Sequence, residues 1–371
     1  MRFTFSNLPA VGWKLPLRDI VTMAQRCEAA GFERFAVADL QYHYDVVAVM
    51  TACALGTRSL VIESLVTNPF TRDAGLIACA WAAIADVSGG RAIFGIGAGV
   101  EVPKHVWVSP FGHERPHPVD GVRECVDVVR RLWRGEKVTL DGKVVHVHDI
   151  ALTCPLPPPI PVLVAARGPR MLELAGEIAD IVHLASVFLG KESRADELER
   201  VARGAERAGR APGSYEIDIS VTVSPSHDRD AARHAALRNA AQGILWYAGA
   251  DEYARREGFR PRGFTVPRST IDALSARWKM WTDPELPADL GALITDDVLD
   301  QFTVWGTPEE CAAKLRTLEA NSPGATGFRT KLTLPVKSRS RDEYLSDVDA
   351  LAEVIAAYRA AERPAVAAGR P

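Results

Sequence analysis

Polar side chains interrupt two apolar runs at the points where those runs end. Asp39 follows the run 34–38, and Thr67 and Asn68 follow the run 60–66. A carboxylate at the end of a strand could hydrogen-bond a cofactor or act as a base, or it could simply cap the next helix. Thr67 and Asn68 fit a position that contacts a ligand, and they fit an ordinary Asn-Pro turn equally well.

Glycines alternate with other residues from Gly95 through Gly97 to Gly99, directly after a third apolar run. Because glycine has no Cβ, this spacing lets a flat ligand approach the backbone closely. The third glycine is misplaced for the dinucleotide fingerprint G-x-G-x-x-G, and the chain contains no Walker A motif. The pattern therefore favours close ligand contact without a nucleotide-binding loop.

A second glycine-containing turn reads Arg167-Gly168-Pro169-Arg170 and precedes a helical pattern over 171–179. Free backbone N–H groups at the start of a helix attract phosphate, and Arg167 or Arg170 would add positive charge. An ordinary helix cap is the alternative interpretation.

The histidines are spaced in ways that do not predict a metal site. The chain contains 9 histidines but no H-E-x-x-H arrangement, so we expect no bound metal. His43, which follows Asp39 by four positions, is the histidine best placed for proton transfer, with a surface histidine as the alternative. The absence of a G-x-S-x-G elbow argues against a serine nucleophile.

Eight short apolar runs alternate with longer helical patterns along the chain. The runs are mostly continuous in hydrophobicity, which is typical of parallel strands buried on both faces. They span residues 2–5, 34–38, 60–66, 92–96, 162–166, 181–185, 216–223 and 327–332. The pattern predicts an α/β fold, a (β/α)₈ TIM barrel, in which chemistry takes place at the carboxyl ends of the strands.

Two gaps between the predicted strands are too long for simple connections. Residues 100–161, after strand four, contain a loop, a helical pattern and a hairpin signal. Residues 224–306, after strand seven, are rich in Trp and Tyr, which suits a lid or an oligomer surface. We predict one domain over 1–361 with insertions at these two places, followed by a disordered tail at 362–371.

Composition narrows the class of protein. The chain has 371 residues, of which 47% are hydrophobic and 25% charged, and its net charge is −3. That charge gives no general attraction for nucleic acid. The longest apolar run, 75–87, is too short to span a membrane, and the first residues do not resemble a secretion signal. Six cysteines without a C-x-x-C pair favour a reduced, cytoplasmic protein.

Four blocks of sequence resemble a known family. Residues 88–99 and 122–136 resemble the signature of the bacterial luciferase-like monooxygenase superfamily. Residues 65–72, which read L-V-T-N-P-F-T-R, and residues 166–180 resemble the methylene-tetrahydromethanopterin reductases of its deazaflavin-dependent branch. The stretch 224–300 is not matched.

The resemblance implies a cofactor and a reaction. It implies an oxidoreductase that uses F420 and transfers a hydride between the deazaflavin and a small organic substrate. The first alternative is an FMN-dependent monooxygenase that takes FMNH₂ from a partner reductase and activates O₂. A barrel that binds cofactor but has lost catalysis is a second alternative. The resemblance also implies a homodimer that packs through the helices next to strands two and three.

The resemblance further implies which residues bind the cofactor. It implies a cis peptide bond between Leu65 and Val66, beside the ring, with Thr67 and Asn68 following it. Asp39 would contact the ring edge, and Arg72 and Lys104 are candidates for an anionic tail. The remaining implied cofactor contacts are Gly97, Gly99, Arg167, Gly168, Pro169 and Arg170.

Two positions depart from the family pattern. Leu40 stands where related enzymes often have a histidine that moves a proton, and Val100 stands where many have an acid. Either His43 or Glu101 could take over this role, or the reaction needs no side-chain acid.

Overall fold

Eight parallel strands form a closed barrel in the protein, which is represented by a computed structural model. The structure describes residues 1–7, 15–39, 44–99, 116–248, 261–279, 283, 285–332 and 340–360. Around the barrel the strand order is β1-β2-β3-β4-β7-β8-β9-β11, and pairings of β8 with β9 and of β11 with β1 close it. The strands are β1 (Arg2–Asn7), β2 (Arg34–Val37), β3 (Val61–Ser64), β4 (Ala92–Ile96), β5 (Val138–Asp141), β6 (His146–Ile150), β7 (Val162–Ala166), β8 (Ile181–Leu184), β9 (Glu216–Pro225), β10 (Val304–Gly306) and β11 (Gly327–Leu332).

The predicted TIM barrel is confirmed, and each of the eight predicted runs is one of its strands. The helices lie outside the barrel and bury their apolar faces against it. They are α1 (Leu17–Ala29), α2 (Val46–Gly56), α3 (Ala74–Ser88), α4 (Pro118–Trp133), α5 (Pro169–Ile178), α6 (Lys191–Arg207), α7 (Arg229–Tyr247), α8 (Arg268–Arg277), α9 (Ala288–Gly291), α10 (Asp296–Leu299), α11 (Pro308–Ala320) and α12 (Arg341–Ala360). None of these helices combines the length and apolarity that a membrane span needs.

Both predicted insertions are present. The first carries α4 and the antiparallel hairpin β5–β6. The second carries α7 to α10 and packs its own hydrophobic cluster, which includes Leu274, Leu290 and Phe302 together with Phe188, a residue that follows β8. The second insertion therefore adds a separate core beside the carboxyl end of β8. The single-domain assignment stays a prediction, and the predicted tail at 362–371 lies outside the described residues.

The side chains inside the barrel form a group apart from the main core. Successive residues of a strand point alternately toward the helices and toward the barrel axis. The interior cluster consists of Ala36, Leu65, Ile93, Leu163 and Ile181. The same alternation places charged residues of β3, β8, β9 and β11 inside the barrel.

These charged residues form a buried ionic cluster around Arg329. Its guanidinium donates to the carboxylates of Glu63 and Asp218, the latter at 2.8 Å, and its Nε donates to Nδ1 of His183 at 3.3 Å. Arg34 adds a second hydrogen bond to Asp218, at 3.2 Å. All five side chains are buried, so the lower half of the barrel is filled by paired charge as well as by apolar side chains.

We expect Glu63→Gln to lower the free energy of unfolding by about 3 kcal/mol, because the substitution leaves the buried Arg329 without one of its compensating charges. Asp272→Asn is the matched control, since it breaks an exposed pair with Arg268 and should cost about 0.5 kcal/mol or less. Urea unfolding of both variants measures the difference. Equal losses would contradict a structural role for the ionic cluster.

Candidate active site

Gly97 lies just past the carboxyl end of β4, where it lets two neighbouring strand ends approach closely. A Cβ added to Gly97 would lie 2.9 Å from Cγ2 of Val66 and 3.6 Å from Cβ of Ala165. Any side chain at Gly97 would therefore push against Val66 and the end of β7. Ala38 and Ala185 lie at the ends of β2 and β8, so the side chains at this end of the barrel are small there too.

The neighbouring glycines serve other purposes. A Cβ on Gly95 would lie 1.9 Å from the carbonyl oxygen of Ser64, and the Ser64 hydroxyl bonds both backbone groups of Gly95. Gly95 is therefore needed for the packing of β3 against β4. Gly99 has φ +70°, a left-handed conformation that favours glycine, and this conformation turns the chain away after β4.

The segment after β3 has the conformation that the family resemblance implied. The Leu65–Val66 peptide bond is cis. The backbone of Thr67 then bridges to β4, accepting from the N–H of Gly97 and donating to the carbonyl of Gly95, both at 3.0 Å. These bonds hold the chain that carries Val66 beside Gly97.

Asn68 is used by the turn that follows. Its Oδ1 accepts hydrogen bonds from the backbone N–H groups of Phe70 and Thr71, at 3.0 and 3.1 Å. This is the ordinary Asn-Pro turn that the sequence allowed as an alternative. A direct contact between Asn68 and a cofactor stays a prediction.

Asp39 is the centre of a polar network at the end of β2. Its Oδ2 accepts from the Thr67 hydroxyl at 2.7 Å and from Nε of Arg72 at 3.3 Å, and its side chain is 8% exposed. Arg72 also donates to Asp45 at 2.6 Å. The cap of α2 is Asp45, whose carboxylate accepts from the N–H groups of Val47 and Ala48. Asp39 is therefore not a helix cap, and its carboxylate is held at the barrel mouth.

The positive charge of Arg72 affects the pKa of Asp45, the carboxylate that caps α2. Burial would raise the pKa of Asp45, but the hydrogen bond and charge of Arg72, with the N–H groups of Ala48 and Val47, outweigh burial and lower the pKa. Arg72 is itself held in its charged form by Asp45 and Asp39. The network therefore keeps a fixed positive charge next to Asp39.

The turn after β7 separates the two arginines that the sequence grouped together. A Cβ on Gly168 would meet no atom within 4 Å, and α5 begins after it without a side-chain cap from the described residues. Arg170 is exposed, and its charge acts on Asp120 of α4. Arg167 turns the other way, toward the second insertion, with its guanidinium carbon 5.3 Å from the ring centre of Trp246.

Arg167 also has an unsatisfied polar atom. Its Nε is buried and has no hydrogen-bond partner within the described part of the chain. A buried donor without a partner is costly, so such an atom marks a place that a ligand could satisfy. Its surroundings make Arg167 a residue of the barrel mouth, whereas Arg170 lies at the outer side of the same turn.

A buried polar cluster that sequence reasoning missed lies next to Arg167. The hydroxyls of Ser186 and Tyr247 are 2.9 Å apart, and Tyr247 accepts the N–H of Val187 at 3.1 Å. Arg194 and Glu197 form an ion pair of 2.6 Å with almost no exposure. Ser186 follows β8, a position that the barrel prediction marks, but only the fold brings α6 and α7 to it.

Burial is the largest influence on the pKa values of Glu197 and Tyr247 in this cluster. It raises the pKa of Glu197, although Arg194 and a hydrogen bond from Ser186 oppose the shift. It also raises the pKa of Tyr247, with Arg167 opposing. The Tyr247 hydroxyl is therefore a neutral hydrogen-bond group at neutral pH.

Other predicted site residues lie outside the described part of the chain. These are His43, Glu101 and the tail candidate Lys104, together with Leu40 and Val100. Across the described ranges, no cluster of His, Cys, Asp and Glu has the arrangement of a metal site.

We expect Asp45→Asn to lower the melting temperature at pH 7 and to lower it less near pH 3. The folded-state pKa of Asp45 is lowered, so the carboxylate stabilises the fold above its unfolded pKa of about 4, and this stabilisation is lost as the pH falls through the folded-state value. Asparagine keeps the capping ability, which isolates the charge.

Asp228→Asn is the matched control for this experiment. Asp228 caps α7 through the same pattern of two N–H groups, but no guanidinium pairs with it in the described ranges. Melting temperatures of both variants between pH 3 and 7 test the prediction. A gap for Asp45→Asn that is as large at pH 3 as at pH 7 would contradict it.

Comparisons with known proteins agree with this geometry. The family model of luciferase-like monooxygenases matches residues 3–326. The chain is 29% identical over 303 residues to the 5,10-methylenetetrahydromethanopterin reductase of Methanolobus tindarius, covering 82% of this chain and 87% of that protein. It is 31% identical over 250 residues to the F420-dependent glucose-6-phosphate dehydrogenase of Intrasporangium calvum, covering 62% of this chain and 72% of that protein.

A solved structure has the same fold. The coenzyme F420-dependent tetrahydromethanopterin reductase from Methanopyrus kandleri superposes with a TM-score of 0.71 at 22% identity, covering 96% of this chain and 99% of that one. The match of the family model over most of the chain, together with this barrel, confirms the resemblance seen in the sequence: the protein belongs to the luciferase-like monooxygenase family.

Proposed function

We propose that the protein is an F420-dependent oxidoreductase that transfers a hydride between the deazaflavin and a small organic substrate. The observation that carries this proposal is the close approach of Val66, in the cis-linked segment, and Ala165 to Gly97 at the carboxyl ends of β3, β4 and β7. The names of the two relatives described above support F420 as the cofactor. Absence of a membrane-spanning helix in the described residues is compatible with a cytoplasmic site of action, which we also propose.

The residues present fit the two ends of such a cofactor. A flat ring needs a smooth surface without long side chains, and Gly97 with the neighbouring alanines supplies small residues at the strand ends. The unobstructed turn at Gly168 and Pro169 exposes backbone N–H groups at the start of α5, which suit the phosphate of the cofactor. Arg170 lies close enough in sequence to add positive charge there.

The polar network at β2 would orient the ring. F420, when bound, supplies the carbon that carries the hydride. Asp39 is held by Thr67 and Arg72 and would contact the ring edge with an oriented carboxylate. Val66 would press against one face of the ring, so the substrate would approach from the other.

Arg167 and Tyr247 mark the side from which a substrate would enter. Arg167 would place a guanidinium over the open space, and Trp246 holds it by stacking. We propose that proton transfer, where the reaction needs it, falls to His43 or Glu101, because Leu40 and Val100 occupy the usual positions.

The second candidate function is an FMN-dependent monooxygenase supplied with FMNH₂ by a partner reductase. The second insertion favours it, because the cluster of α7 to α10 forms a separate apolar wall beside the mouth. Oxygen chemistry on a flavin requires that water be kept out, and an apolar wall does this.

Titration of the protein with F420 and with FMN, in oxidised and reduced forms, tests these alternatives. We expect selective micromolar binding of F420, and Gly97→Ala should weaken it about tenfold because the added methyl group would displace Val66, which we place against the ring. Gly291→Ala is the matched control, since its Cβ meets only side chains of the second insertion, with Leu237 at 3.2 Å.

Fluorescence or calorimetry gives both dissociation constants. Selective binding of reduced FMN would replace the first proposal by the second. Binding that Gly97→Ala leaves unchanged would contradict the assignment of the ring to the surface formed by Gly97 and Val66.

We also propose a homodimer formed through α2 and α3. Leu76, Ala80, Ala83 and Val87 form one stripe along α3, and Leu76 is 67% exposed. Leu55 of α2 is 68% exposed, so the two helices present an apolar surface together.

We expect Leu76→Glu to convert a dimer to a monomer at micromolar concentration, because a charge within an apolar interface remains unpaired. Leu293→Glu, at another exposed leucine in the second insertion, should leave the dimer intact. Light scattering after gel filtration measures both masses. A monomeric wild-type protein would refute the proposed interface.

A further inference from the structure

Two of the six cysteines differ from the others in accessibility. Cys27, Cys53, Cys125 and Cys311 are buried, while Cys79 and Cys154 are exposed. Burial raises the pKa of Cys53, Cys125 and Cys311 to about 12, so these thiols remain protonated and unreactive. Thiol chemistry from solution is therefore directed to the two exposed positions.

The chain after β6, which carries Cys154, runs along α3, which carries Cys79. Cδ1 of Ile150 lies 3.1 Å from the position of a Cβ on Gly75, at the start of α3. Further along, Cγ of Pro158 lies 3.8 Å from the position of a Cβ on Gly90, just after α3 ends. The segment 150–158 thus follows the helix in the same direction, from its first turn to its last.

The segment 150–158 is only slightly longer than the stretch of α3 that it follows. Fifteen residues of α-helix rise about 22 Å, whereas eight extended residues span about 26 Å. The segment 150–158 must therefore run almost straight between its two contacts. Cys154 is its midpoint, so it lies beside the middle turns of α3.

Cys79 is on the edge of α3 that faces this segment. It follows Gly75 by four residues, one turn along the same face. Cys79 also borders the stripe that carries Leu76 and Ala83, because it lies three residues after the first and four before the second. An independent observation agrees: burial, and then the charge of Cys154, raise the pKa of Cys79, which requires the two sulfur atoms to be near each other.

We propose that Cys79 and Cys154 form a thiol modification site, at which a small disulfide such as glutathione disulfide converts the pair to an internal disulfide. The thiolate of one cysteine attacks glutathione disulfide and releases one glutathione thiolate. The second cysteine, as its thiolate, attacks the mixed disulfide and releases the other glutathione. Two protein thiols are oxidised, and one glutathione disulfide is reduced to two glutathiones.

The disulfide would attach the first insertion to the barrel. Cys154 follows the hairpin β5–β6, and Cys79 lies on the helix that follows the Arg72 loop. Oxidation would therefore restrict the hairpin relative to the loop that holds Asp39. This inference does not depend on the cofactor or on the reaction proposed above.

The test is intact-mass analysis of the full chain after incubation with glutathione disulfide and blocking of free thiols. We expect the wild-type chain to lose two hydrogens, to keep its monomeric mobility on a non-reducing gel, and to be restored by dithiothreitol. Cys79→Ser and Cys154→Ser should each instead gain one glutathione, because the resolving thiol is missing.

Thermal unfolding gives a second readout. The oxidised wild-type chain should melt about 5 °C higher than the reduced chain, because the link closes a long loop, and neither serine variant should show this rise. Stable glutathione adducts on the wild-type chain, a disulfide-linked dimer, or no reaction at these two cysteines would each overturn the proposal.

Discussion

The buried guanidinium of Arg329 is the interaction on which the interior of the barrel depends. It lies within hydrogen-bonding reach of Glu63, Asp218 and His183, which come from three different strands. Parallel strands closed into a barrel must fill their interior with alternate side chains, and here paired charge fills the lower half. The upper half is then free to carry small residues, among them Gly97 with Val66 and Ala165 packed against it.

A second network of paired charges, at the mouth of the barrel, also depends on one arginine. Asp39 has no helix to cap, and Thr67 and Arg72 hold it in place. Arg72 connects it to Asp45, which starts α2. One cation therefore links the end of β2, the turn after β3 and the first turn of a helix. A change at any of these points would move the carboxylate that we assign to the ring edge.

Sequence reasoning succeeded where one physical signal dominates. The eight strands were predictable because each is a continuous apolar run, and their ends shift by at most two residues. Glu63 and Arg329 were not singled out, since a single charge within an apolar run has no visible partner until the barrel closes. The interpretation of Arg167 and Arg170 as interchangeable was incomplete for a related reason. Neighbours in a turn point to different sides once α5 begins between them.

The mouth is consequently asymmetric, and this asymmetry separates cofactor from substrate. The ends of β2, β3, β4 and β7 offer glycine, a fixed carboxylate and an uncapped helix start, which match a flat ring and a phosphate. The side toward β8 offers Arg167, Trp246 and the neutral hydroxyl of Tyr247, which is carried by the second insertion. The barrel itself builds the first side, whereas an insertion builds the second. Members of the family can therefore keep one cofactor position while the insertion changes what is presented to the substrate.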